Sequence, residues 1–74
     1  MCQVYFTRMI NKIREIREGL KISQTELARL CGVSRQAIHS IETGQYKPTV
    51  LLSLKISLVL KRKVEDLFTL EIGD

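Results

Sequence analysis

Between Gly32 and Ser34 lies a single residue, Val33, and this spacing constrains the fold more than any other feature of the chain. Gly32 follows an apolar-periodic run, and glycine most readily takes the left-handed conformation that ends a helix. Ser34 is a good N-cap, so a new helix begins almost at once. Helices joined this tightly cannot lie antiparallel and must cross at a steep angle. The first of the two, from Gln24 to Cys31, opens on Ser23-Gln24-Thr25-Glu26. In this S-x-x-E pattern the serine hydroxyl accepts from the backbone three residues on while the glutamate reaches back to the cap. Leu27, Ala28 and Cys31 are its buried residues.

The second helix, from 35 to about 43, divides cleanly on a wheel of about 100° per residue. Ala37, Ile38 and Ile41 fall on one arc, and Arg35, Gln36, His39, Ser40 and Thr43 on the opposite one. One face is apolar, with small Ala37 permitting close approach; the other is rich in hydrogen-bonding groups. Periodicity predicts more helices around this corner. Ile10, Ile13, Ile16 and Leu20 mark the core face of a first helix that stops near Gly19. Gly44 closes this helix, and the loop Gln45-Tyr46-Lys47-Pro48-Thr49 ends in an N-cap for a fourth helix over about 50–60. A short fifth helix near 64–68 places Val64, Leu67 and Phe68 in the core. The reading is all-α, a compact five-helix bundle over residues 9–68, with an N-terminal extension at 1–8 and an acidic tail at 69–74. Three readings of the first eight residues stay open: a flexible arm, a start-site artefact with Met9 as the true start, or a short strand at Val4-Tyr5-Phe6.

Size limits what such a bundle can do. A chain of 74 residues has room for one core only, and domains of this size bury only about 60% of the surface exposed when unfolded. This excludes most enzymes. The net charge of +4 is unevenly placed: residues 1–63 hold all 12 lysines and arginines and only Glu15, Glu18, Glu26 and Glu42. Residues 64–74 hold Glu65, Asp66, Glu71 and Asp74 and no base. A basic body with a pI near 9.4 fits a polyanionic partner. The apolar stretch over 50–60 is broken by Ser53, Lys55 and Ser57 and falls short of the roughly 20 residues that span a bilayer. The N-terminus shows neither a basic leader nor an apolar run of signal length. A cytoplasmic protein with no membrane partner is therefore expected. Cys2, Cys31 and His39 are too few and too scattered for a zinc site or a disulfide framework, so no metal and no cofactor are expected. Cys31 reads as a small buried apolar residue and Cys2 as an incidental thiol. With no glycine-rich phosphate loop and no facing carboxylates, no catalytic residue is expected.

The run Ser23-Gln24-Thr25-Glu26-Leu27-Ala28-Arg29-Leu30-Cys31-Gly32-Val33-Ser34-Arg35-Gln36-Ala37-Ile38-His39-Ser40-Ile41-Glu42-Thr43-Gly44, followed by Pro48-Thr49 and Glu65-Asp66-Leu67-Phe68, resembles the phage Cro and repressor-type helix-turn-helix family, small XRE-like transcriptional regulators. The resemblance covers roughly residues 10–68. It implies a lambda repressor-like domain that binds double-stranded DNA as a two-fold dimer. It also implies roles. Arg35, Gln36, His39 and Ser40 match positions of the recognition helix that face bases in the major groove. Ser34 at that helix's start and Thr43, Gln45, Tyr46 and Lys47 beyond its end match phosphate contacts. Gln24 matches a position whose side chain or backbone amide holds a phosphate at a helix N-terminus. Arg17 and Glu42 match a structural salt bridge between the first and third helices. The side-chain chemistry agrees, since Arg pairs with guanine and Gln with adenine through two hydrogen bonds each, giving about 1–3 kcal/mol of discrimination. The chain departs from the family at Lys21 and Lys61, where glycine is common. Those turns must be built differently or carry strain at a left-handed residue.

On the fourth helix Ser53, Ile56, Ser57 and Leu60 lie near one line, and Leu51, Leu54 and Leu58 cluster on the far side. A small domain buries only one of these faces fully. The surplus leucines imply a homodimer formed through the fourth helix and the C-terminal segment; the competing reading folds Phe68, Leu70 and Ile72 over that side. Two functions follow. The first is a sequence-specific regulator, a repressor that occupies an inverted-repeat operator as a homodimer. The second is a protein-interaction module of the same fold, the antitoxin of a toxin pair or a non-DNA-binding adaptor, with a toxin or anti-repressor as its partner protein.

Overall fold

In the computed structural model, which describes residues 5–73, five helices are framed by two strands. The order is β1 (Tyr5–Asn11), α1 (Ile13–Gly19), α2 (Gln24–Cys31), α3 (Arg35–Glu42), α4 (Val50–Leu60), α5 (Val64–Leu67) and β2 (Phe68–Gly73). Three helices start on hydroxyls that the sequence supplies. Glu26 N donates to Ser23 Oγ at 3.0 Å, Ala37 N to Ser34 Oγ at 3.1 Å, and Leu52 N to Thr49 Oγ1 at 3.1 Å. Gly32, at φ 73°, ends α2 and lets Val33 N reach back to Ala28 O at 3.0 Å. That closure lets α3 begin at Arg35, with only three residues between it and Cys31 at the end of α2.

The apolar faces of all five helices meet in one core. Ile13, Leu27, Ala28, Cys31, Ile38, Ile41, Leu52, Ile56, Leu60 and Leu67 are buried there, and Ile16, Ile22, Val33, Val59 and Phe68 pack around them. Burial pushes the Cys31 thiol pKa up, as desolvation disfavours a charged thiolate. Cys2 lies outside the described residues.

The fold is mostly helical, not wholly so. β1 and β2 pair antiparallel from Tyr5 opposite Gly73 to Asn11 opposite Phe68, with an irregularity between Phe6 and Arg8. Lys12 N continues the pairing by donating to Leu67 O at 2.8 Å. Ile10 therefore belongs to β1 and α1 begins only at Ile13. The spacing of Ile10 and Ile13 mimics a helical period, but the backbone of Asn11 is committed to Phe68 and its side chain donates to Ile41 O at 2.9 Å. At the other end Phe68, Leu70 and Ile72 alternate with Thr69 and Glu71, a period of two that suits a strand. Leu20 leaves the core as well, at 43% exposed. Two turns take the left-handed conformation without glycine, at Lys21 (φ 60°) and Lys61 (φ 56°).

Candidate nucleic-acid interface

Arg17 is a buried cation on α1, at 7% exposure. A buried charge demands a partner, and Glu42 at the end of α3 supplies one. Nε donates to Oε2 at 2.7 Å and Nη2 to Oε1 at 3.1 Å, while Nη1 donates to Ile22 O at 2.8 Å. The hydrogen bond to Glu42 holds the Arg17 pKa above its ordinary value, against the opposing effect of burial. The ion pair thus ties α1 to α3 and fixes the height at which α3 stands on the body.

Glu42 also accepts from Gln24 Nε2, at 3.0 Å, and Gln24 Oε1 in turn accepts from Arg35 Nη1 at 3.2 Å. His39 Nδ1 lies 3.4 Å from the same Gln24 nitrogen. These contacts draw α1, α2 and α3 around a polar concavity of about 380 Å³ whose rim includes Arg14, Gln24, Arg35, His39 and Thr43. Arg14 was not among the residues singled out from the sequence. It is exposed and pairs loosely with Glu18, at 3.4 Å, and its only sequence signal is a base on the outer face of α1.

The remaining residues divide by accessibility. Arg35 and Gln36 are exposed in the first turn of α3, and His39 is exposed one turn on. Ser40 is half-buried, its carbonyl accepting from Gln45 N at 2.9 Å and Tyr46 N at 3.2 Å. Ser34 is exposed but spends its hydroxyl on capping α3, and Thr43 Oγ1 donates to Ser40 O at 3.2 Å. Gln45, Tyr46 and Lys47 are exposed on the following loop. On α4, Leu52, Ile56 and Leu60 face the core, whereas Leu51, Leu54 and Leu58 are 64%, 50% and 79% exposed. Leu70 is itself 54% exposed and Phe68 packs on the core, so neither covers these leucines; the Ile72 side chain lies outside the described residues. Among the described residues, no helix is long and apolar enough to cross a membrane.

A tight two-helix corner that presents a polar helix face beside exposed basic side chains defines a DNA-binding helix-turn-helix domain. The family model described as Helix-turn-helix (HTH_3) matches residues 13–67, and the chain belongs to this Cro/C1-type family of transcriptional regulators. It is 44% identical over 63 residues to the uncharacterized HTH-type transcriptional regulator YgzD of Bacillus subtilis, across 85% of this chain and 96% of that one. Its fold is similar to that of the P22 c2 repressor protein, solved in complex with a synthetic operator, with a TM-score of 0.71 and 33% identity over 73% of this chain and 82% of that one. The restriction-modification controller protein C.AhdI of Aeromonas hydrophila is similar too, with a TM-score of 0.71 and 29% identity over 74% and 83% of the two chains.

Proposed function

We propose that the protein represses transcription by occupying an inverted-repeat operator as a homodimer, with α3 in the major groove. The observation that carries this reading is the exposed face of α3, where Arg35 and Gln36 stand in the first turn with His39 behind them. Arg35 and Gln36 present two-pronged hydrogen bonding to base edges. His39 and Ser40 make the shorter contacts one turn along. Gln45, Tyr46, Lys47, the Ser34 hydroxyl, whose proton its capping role leaves free, the Thr43 hydroxyl once turned from Ser40 O, and Gln24 through its side chain or backbone amide hold phosphates on the two sides of the groove, and these contacts supply affinity without sequence information. Leu51, Leu54 and Leu58 supply the apolar surface on which two copies meet. The operator-bound state of the P22 c2 repressor supports the reading by likeness.

Selection of bound sequences from a random duplex pool at near-physiological salt tests it, with an Arg35→Ala/Gln36→Ala double variant as control. The control should keep its stability within about 0.5 kcal/mol, as exposed sites do. Recovery of a short inverted repeat by the wild type alone is the expected result. No enrichment by folded wild type overturns the reading and favours the protein-interaction module. Equal loss by the control on specific and random DNA makes the two side chains phosphate contacts instead.

A further inference from the structure

α3 ends in a turn that Gly44, left-handed at φ 81°, makes possible. Gly44 N donates to Ile41 O at 3.1 Å, while Gln45 N and Tyr46 N both reach Ser40 O, at 2.9 and 3.2 Å. The exposed loop Gln45-Tyr46-Lys47 therefore leaves the helix in a direction set by two carbonyls. One of the two is also held from outside α3. Asn11, the last residue of β1, donates its Nδ2 to Ile41 O at 2.9 Å across 30 positions of sequence. A carbonyl only accepts, so the amide must turn its nitrogen to Ile41, and Oδ1 is left buried without a hydrogen-bond partner among the described residues. Such an atom is costly, and an apolar side chain would avoid the cost. What asparagine adds is the bond to Ile41. Little packing backs that bond up, because a cleft of about 350 Å³ opens between Met9 and Ile10 of β1 and Thr43 and Gly44 beyond α3.

We infer that Asn11 is a positioning residue for DNA binding: it holds the last turn of α3 so that Gln45, Tyr46 and Lys47 stand ready for phosphates. This rests on the reading of those three residues as phosphate contacts. A loop that moves freely loses that freedom when it docks, and a tether that removes part of it beforehand raises affinity. Phosphate contacts carry no sequence information. Asn11 thus acts on affinity for any duplex and leaves base preference to α3. Arg17 grips the neighbouring Glu42 from α1, so the same turn is held from two sides and the fold does not hang on Asn11 alone.

The test compares wild type, Asn11→Leu, a loop variant carrying Gln45→Ala, Tyr46→Ala and Lys47→Ala, and their combination, on the selected operator and on random duplex. Leucine keeps the branched shape of asparagine and removes both the bond and the orphaned oxygen. Asn11→Ala serves as a second variant, and both should keep the wild-type circular dichroism spectrum. Asn11→Leu should weaken binding to operator and random duplex by the same factor, about tenfold, with discrimination between them unchanged. The amides of Gly44, Gln45 and Tyr46 should exchange with solvent faster than in wild type, while those of α2 keep their rate. In the loop-variant background Asn11→Leu should add no further loss, as expected for residues acting through one contact. Loss confined to the operator, unchanged affinity, unchanged exchange, or the same loss with and without the loop side chains overturns the inference. Failure of both Asn11 variants to fold also overturns it, since the residue is then structural. If the loop variant binds DNA like wild type, the reading of the loop fails first, and that failure is visible without any Asn11 variant.

Discussion

Arg17 and Glu42 meet fork to fork, with parallel hydrogen bonds of 2.7 and 3.1 Å joining α1 to the last turn of α3. The two side chains are 9% and 1% exposed, so neither can fall back on water if the other is lost. Glu42→Ala should therefore destabilise the fold by roughly 3–5 kcal/mol, read as a lower urea midpoint at unchanged slope. Replacing both partners with apolar residues of similar volume should cost clearly less, since no unpaired charge is left inside. A Glu42→Ala loss no larger than that of an exposed pair would show that water reaches Arg17.

Lys21 and Lys61 hold left-handed backbone, where a Cβ crowds the neighbouring carbonyl by roughly 1–2 kcal/mol. The turns exploit the conformation fully: after α1, Lys21 N donates to Glu18 O and Ile22 N to Arg17 O, both at 3.0 Å. Glycine relieves the strain but gives the unfolded chain more freedom, which offsets part of the gain. Lys21→Gly and Lys61→Gly should each stabilise by about 0.5–1 kcal/mol and add when combined, being on separate turns. Lys21→Ala should bring no gain, because alanine keeps the Cβ. Thermal melts of the wild type and these four variants decide the matter.

The leucine face of α4 makes a prediction about assembly. Leu51→Glu with Leu58→Glu should leave the helical content intact, since these side chains are 64% and 79% exposed. The variant should sediment as a monomer and bind an inverted-repeat operator more weakly, while the wild type sediments as a dimer. A wild type that is monomeric at high concentration removes the case for a homodimer through this face.

Cys31 should register in the alkaline limb of stability. Its thiol pKa is raised in the folded state by burial. The unfolded chain releases this proton first as pH climbs, so the stability from the neutral buried thiol is complete below the ordinary thiol range. That stability is lost as pH rises toward and through the folded-state value. Cys31→Ala should lower stability at neutral pH by opening space in the core, yet flatten the decline at high pH relative to wild type. Parallel declines in the two proteins would show that other groups govern the alkaline limb.

What could be read from the residues was whatever depends on neighbours in sequence. Ser23, Ser34 and Thr49 announce their helices because a cap contacts an amide three residues on, and Gly32 ends α2 within the same turn. Helical periodicity sets Ile56 and Leu60 apart from Leu51, Leu54 and Leu58 on α4, while the burial of Leu52 beside the first two is decided by packing against the other helices. Of the strands, the sequence offered only a short one at Val4-Tyr5-Phe6 as one of three open readings, and Tyr5 and Phe6 do belong to β1; its run to Asn11 and its pairing stayed hidden, because β1 finds its partner only at the far end of the chain and Ile10 falls in phase with Ile13 and Ile16. Leu20 kept that phase too, but the chain has already left the helix there. The Gln24 bridge was hidden for a different reason. Spacing gives the face on which a glutamine lies, whereas the direction of its amide is set by Glu42 on another helix.

The pairing of β1 with β2 gives the two halves of the molecule different histories. The contacts among α1, α2 and α3 lie close in sequence and can form early, while joining Asn11 to Phe68 closes a loop that contains all five helices. Loop closure carries an entropic cost that only prior packing offsets. The ribbon should accordingly be the last part to form and the first to open. Its amides should exchange with solvent through local unzipping while those of α2 and α3 wait for the whole domain to unfold.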